Sequence, residues 1–156
     1  MALPPCGIYR TTVSIAGIEA ERLVYFHNHG DPGAGLYLPQ RWHLNRAQFS
    51  EQGHTLEAIA QAQTLKPLPA EGLYRVRSAF ACCEKKCRTF SEETLLQLGY
   101  NGAGRAIVFE PEWRSEGLGF PERGQVIDDA AFVALVPLLV QRPPQAAVAT
   151  RPEHFH

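Results

Sequence analysis

The chain carries no surplus of positive charge: 15 Lys and Arg stand against 16 Asp and Glu in 156 residues, a formal net charge of −1. Non-specific binding to nucleic acid or to an anionic membrane rests on a basic excess, so neither is an expected partner. Long apolar runs are missing as well. The longest, Ala130 to Val140, is too short for a bilayer and is interrupted by Pro137. The opening Met-Ala-Leu-Pro-Pro-Cys-Gly has neither the basic region nor the apolar stretch of a secretory signal. Cysteine is scarce: there are four, of which Cys82, Cys83 and Cys87 fall close together, too few and too clustered for a secreted disulfide scaffold. These absences predict a cytoplasmic chain with reduced thiols. No phosphate-binding loop, nucleophile elbow or paired-carboxylate arrangement stands out either.

Hydrophobic residues make up 45% and charged residues 20% of the chain, enough to build a core. Gly (13) and Pro (12) are enriched, which favours turns and short strands over long helices.

Self-comparison reveals more. Gly7-Ile8-Tyr9-Arg10 recurs as Gly72-Leu73-Tyr74-Arg75, each opening a strand-like run, the first expected from Gly7 to Ile15 and the second from Leu73 to Ala81. Glu21 to Pro39 then matches Glu93 to Pro111 without a gap, and Trp42, Phe49 and Gly53 share their mutual spacing with Trp113, Phe120 and Gly124. Each stretch closes alike, Leu65-Lys66-Pro67-Leu68 against Leu135-Val136-Pro137-Leu138. The common order predicts a duplication. Residues 1–69 form the first unit, residues 70–140 the second, and residues 141–156 a flexible, Pro-containing tail. A unit of about 65 residues has a marginal core of its own, so the two are expected to pack together. The predicted class is mainly β, a β-rich α+β fold of two SH3-like or curled-sheet barrel modules. Each has a short helical turn, at Leu56 to Ala62 and Asp128 to Ala134, and a closing edge strand. Asp128 and Asp129 suit the start of such a turn.

Three groups of residues carry candidate chemistry. On a strand, positions i and i+2 share a face, so His27 and His29 can reach one Zn²⁺, with Asp31 as a further oxygen ligand. The segment Leu23-Val24-Tyr25-Phe26-His27-Asn28-His29 resembles the strand and His-x-His of the JAB/MPN (JAMM) metallohydrolases, which implies a zinc-dependent hydrolase. Where that family carries its metal-binding Asp this chain has Arg41, and where it carries Ser it has Leu38. In the internal alignment His27 and His29 fall opposite Gly99 and Asn101, so the shared fold does not need the imidazoles.

The second group is Cys82, Cys83 and Cys87, a Cys-x-x-x-Cys knuckle able to offer zinc ligands. It lies in a hairpin extension at residues 82–88 that only the second unit possesses. The third is aromatic: Trp42 and Trp113, with Tyr9, Tyr37, Tyr74 and Phe109, either fill the core or line grooves for a peptide.

The favoured reading is a non-enzymatic tandem module that binds or assembles with a protein or peptide partner and needs no cofactor. The alternative is a zinc-dependent hydrolase using His27, His29 and Asp31.

Overall fold

A computed structural model describes residues 2–30 and 33–139. Asp31 and the predicted tail at 141–156 lie outside the described residues.

Short extended segments alternate with turns. In the first part these are β1 (Gly7–Arg10), β2 (Leu23–His27), β3 (Gly35–Tyr37), β4 (Pro39–His43), β5 (Arg46–Phe49), β6 (His54–Thr55), the 3₁₀ helix η1 (Ile59–Thr64) and β7 (Lys66–Pro67). The second part runs β8 (Gly72–Val76), β9 (Phe80–Ala81), β10 (Thr89–Phe90), β11 (Leu95–Tyr100), β12 (Ala106–Phe109), β13 (Glu112–Arg114), β14 (Gly117–Gly119), β15 (Gln125–Val126), η2 (Asp129–Ala134) and β16 (Leu135–Pro137).

Two five-stranded antiparallel sheets result, in the orders β6-β3-β2-β1-β7 and β15-β12-β11-β8-β16. The orders are the same once β1, β2, β3, β6 and β7 are set against β8, β11, β12, β15 and β16. Hairpins β4–β5 and β13–β14 occupy corresponding places, and a 3₁₀ turn precedes the last strand in each. Finer details agree. Tyr9 Oη donates to the Pro5 carbonyl and Tyr74 Oη to the Ala70 carbonyl, both at 2.6 Å. Thr11 N–H donates to Arg22 O and Val76 N–H to Thr94 O, both at 3.0 Å. Glu21 and Glu93 share the left-handed conformation, at φ 61° and 67°.

Neither sheet closes on itself among the described residues, so the expected barrels are absent. The outer strands are two or three residues long, and Pro67 and Pro137 supply no ladder N–H. The strand expected from Gly7 to Ile15 stops at Arg10. Beyond it the buried Thr11 hydroxyl donates to Glu19 O and accepts from Arg22 N–H, holding a turn. The run expected from Leu73 to Ala81 breaks into β8 and β9, and β9 pairs with β10 around the 82–88 loop.

Alternate residues of each sheet point inward. Val24, Phe26 and Leu36 join Tyr9, Ile15, Ile18, Ala62 and Leu65 in one core. Leu96, Leu98 and Val108 join Tyr74, Val76, Phe90 and Ile127 in the other, and Leu23 and Leu68 from the first part enter this second core. Removing a fully buried Leu costs about 2–5 kcal/mol, so Leu23, which is wholly buried, ties the two parts firmly. Polar links run alongside: Leu23 N–H donates to Gly102 O, Tyr100 Oη to Pro69 O, and Arg10 is paired with Asp129. The turn η2 starts where the two carboxylates predict, with Asp128 at its N-cap position and Asp129 in its first turn, but Asp128 makes no side-chain cap and Asp129 is engaged by Arg10 and Lys66. No helix among the described residues is long and apolar enough to cross a membrane.

Candidate functional site

The two Trp-bearing hairpins share a sequence pattern but differ in their surroundings. In β4–β5 the chain reverses at Leu44 and Asn45, both with positive φ, as a tight two-residue turn between paired strands requires. This tip lies on β11. Gln97 Nε2 donates to Leu44 O at 3.0 Å, and Asn45 Nδ2 donates to Gln97 Oε1 and to Pro121 O, both at 2.9 Å. The Trp42 indole N–H donates to Tyr100 O at 2.7 Å. The approach is close enough that a Cβ on Gly99 would sit 2.6 Å from Asn45 O, inside any tolerable contact. Hairpin β13–β14, by contrast, projects outward. Trp113 is 83% exposed against 41% for Trp42, and Leu118 beside it in the ladder is also exposed.

The six aromatics named from sequence do not share one surface. Tyr9 and Tyr74 are buried in the cores, and each contributes to the floor of a shallow concavity. These concavities, of about 400 and 520 Å³, are counterparts. Gly7, Ile8, Pro67 and Leu68 line the first, Gly72, Leu73, Pro137 and Leu138 the second, and Arg46 and Glu71 border both. Glu71 accepts from Ala47 N–H at 2.9 Å, and burial pushes its carboxyl above the ordinary value. Trp42 and buried Phe109 line a third hollow of about 240 Å³ at the docked hairpin. Tyr37 lies over Gly53, where a Cβ would strike its ring at 2.6 Å. Only Trp113 stands clear.

His27 and His29 do come together, their ring centroids 4.0 Å apart. The residue that joins them is Cys6. Gly7 pairs with Phe26, so the preceding Cys6 comes opposite the following His27 at the end of the β1–β2 ladder. One ligand atom from each of Cys6, His27 and His29 lies within 4.8 Å of the others. Cys6 was missed because its distance in sequence hides a neighbour that the antiparallel register makes adjacent. Asn28 organises the group. Its N–H donates to Cys6 Sγ at 3.3 Å, its Oδ1 accepts from the Cys6 thiol at 3.2 Å, and the same oxygen lies 2.8 Å from His29 Nδ1. Asn28 Nδ2 donates to Pro4 O, fixing the carboxamide.

In the 82–88 loop Cys82 is buried, Cys83 half-buried and Cys87 exposed. Cys82 Sγ donates to Cys83 Sγ at 3.5 Å. That hydrogen bond, with backbone N–H groups of Cys87 and Lys85, lowers the Cys83 thiol below its ordinary value, and donation to Cys83 raises that of Cys87. The three cysteines bond to one another and to their own turn.

Comparison with protein-family models, with curated proteins and with solved structures gave no match to this chain.

Proposed function

We propose that this chain is a non-enzymatic assembly module, made of two degenerate copies of one β unit, that binds a protein partner through the Trp113 hairpin. The duplication reading draws support from the equal strand orders and the paired hydrogen bonds of Tyr9 and Tyr74. The observation that carries the binding reading is the contrast between the hairpins. The Trp42 hairpin is seated on a sheet, its indole N–H satisfied and its tip over a glycine, while the Trp113 hairpin has the same layout and stands bare. An exposed Trp offers a large rigid contact at low entropic cost, which is why Trp dominates protein interfaces.

The internal contact also describes the partner. It presents the face of an antiparallel sheet, a glycine where the hairpin tip approaches, and a carbonyl to accept from the indole. A second copy does not offer this face. Its own Gly99 is covered by the Trp42 hairpin, and the corresponding place on β2 holds His27.

The test is photocrosslinking in cells of the source organism, with a benzophenone side chain at position 113 or 118 and, as control, at position 44, which is exposed at the tip of the docked hairpin. A discrete adduct with one other protein from 113 and 118, absent from 44, is expected. No adduct, or adducts only between copies of this chain, would overturn the reading.

A further inference from the structure

We propose that Cys6, His27 and His29 form a zinc site at the end of the β1–β2 ladder, with three protein ligands and a fourth position open to solvent. It is independent of the partner-binding role. A thiolate and two imidazoles are the donors Zn²⁺ prefers, and a hard cation such as Mg²⁺ or Ca²⁺ would call for oxygens. Tetrahedral zinc with ordinary Zn–S and Zn–N lengths places sulfur and nitrogen about 3.6 Å apart. Cys6 Sγ and His29 Nδ1 are 4.0 Å apart, and all three donors fit within 4.8 Å, so small side-chain rotations complete the geometry.

The outer shell is already in place. The Asn28 N–H aimed at Cys6 Sγ remains a suitable donor once the sulfur is a thiolate, as hydrogen bonds around metal ligands commonly are. Asn28 Oδ1 is shared by the Cys6 thiol and His29 Nδ1, which keeps the two side chains side by side. On binding, the Cys6 thiol proton goes to solvent and both histidines ligate as neutral imidazoles, so one zinc ion releases one proton.

The other half of the molecule shows that the fold does not require these side chains. The residues in corresponding positions are Glu71, Gly99 and Asn101, and there the tip of the Trp42 hairpin fills the space over Gly99. On the first sheet, Cys6 and His27 are half-buried and His29 is exposed. Metal-binding residue types occur where the place is left accessible. The proposal is one of metal binding by Cys6, His27 and His29.

The full-length chain, purified without chelators and then stripped of metal, is titrated with Co²⁺ and afterwards with Zn²⁺. One equivalent of Co²⁺ is expected to release about one proton and to produce a thiolate-to-cobalt band in the near ultraviolet and visible bands of tetrahedral intensity, and Zn²⁺ should then remove the bands without further proton release. Cys6→Ser should abolish the near-ultraviolet band, and His29→Ala should weaken zinc binding at least ~10-fold. The combined Cys82→Ser, Cys83→Ser, Cys87→Ser variant should behave as the parent. Because His29 is exposed, His29→Ala should melt like the metal-free parent while losing the rise in Tm that zinc gives the parent. Cobalt bands that survive Cys6→Ser, that vanish in the triple cysteine variant, or that never form would overturn the proposal.

Discussion

Arg10 and Asp129, 119 positions apart in the chain, meet in a two-pronged ion pair: Nη1 donates to Oδ2 at 2.7 Å and Nη2 to Oδ1 at 2.9 Å. Lys66 adds a second cation at 2.6 Å from Oδ2, and Arg10 Nε and Nη2 also donate to Gly104 O. The Arg10 side chain is only 7% exposed and that of Asp129 26%, so the pair is partly shielded from water. It locks the first strand of one sheet to the turn that precedes the last strand of the other.

Hydrogen bonding from the Arg10 guanidinium, then from Lys66, holds the Asp129 carboxyl well below the usual range. A depressed carboxylate contributes stability that is fully present above its unfolded value, about 3.9, and lost as pH falls through the folded value. Asp129→Asn is therefore expected to cost about 3 kcal/mol at neutral pH, because it leaves Arg10 nearly buried without its countercharge. Denaturant titrations from neutral pH downward should show an acid loss of stability below about pH 4 in the parent that is shallower in the variant.

Gly99 is a site of close approach. Gly99→Ala puts a methyl group against the Asn45 carbonyl, a backbone atom that cannot swing aside, and is expected to cost about 1–3 kcal/mol and lift the Trp42 hairpin. Trp42→Phe removes the indole donor to Tyr100 O at a cost of about 1 kcal/mol, whereas Trp113→Phe should stay within about 0.5 kcal/mol of the parent. Fluorescence of the Trp113→Phe variant, which reports Trp42 alone, should shift to the red when Gly99→Ala is added.

Glu21 and Glu93 both adopt a left-handed backbone that glycine accepts freely. Glu21→Gly and Glu93→Gly should each be stabilising by under about 1 kcal/mol, the second less so because it also removes the exposed pair with Arg75. Similar gains in thermal unfolding from both sites are expected if the two sheets are energetic as well as topological counterparts.

In the 82–88 loop the Cys83 thiol is held below its ordinary value and that of Cys87 above it, and Cys82 is buried. Limited iodoacetamide treatment near neutral pH, followed by peptide mapping, should label Cys83 first, Cys87 next and Cys82 last, since the thiolate is the reacting form.

The sequence carried the order of elements well, because that order is written in local signals. Gly7 and Gly72 open strands, Pro67 and Pro137 close them, and the spacing from Glu21 to Pro39 repeats from Glu93 to Pro111. Closure into barrels was not legible, since it depends on edge strands long enough to pair, and β6 and β15 are two residues each. The fate of the tryptophans was hidden for a related reason. Trp42 and Trp113 have matching neighbours in sequence, and what separates them is Gly99, far along the chain, which gives one hairpin a seat. His27 and His29 announced themselves by their spacing, whereas Cys6 needed the β1–β2 register to join them.

The brevity of the sheet edges bears on how copies of this chain behave when crowded. His54–Thr55, Lys66–Pro67, Gln125–Val126 and Leu135–Pro137 are the outermost strands of the two sheets. A neighbouring molecule seeking to extend either ladder meets a template of two or three residues, and on two of the four it finds a proline that returns a carbonyl but no N–H. Fibrous stacking therefore has little to grow from. Contact with other molecules is directed instead to protruding side chains, where shape can discriminate between partners.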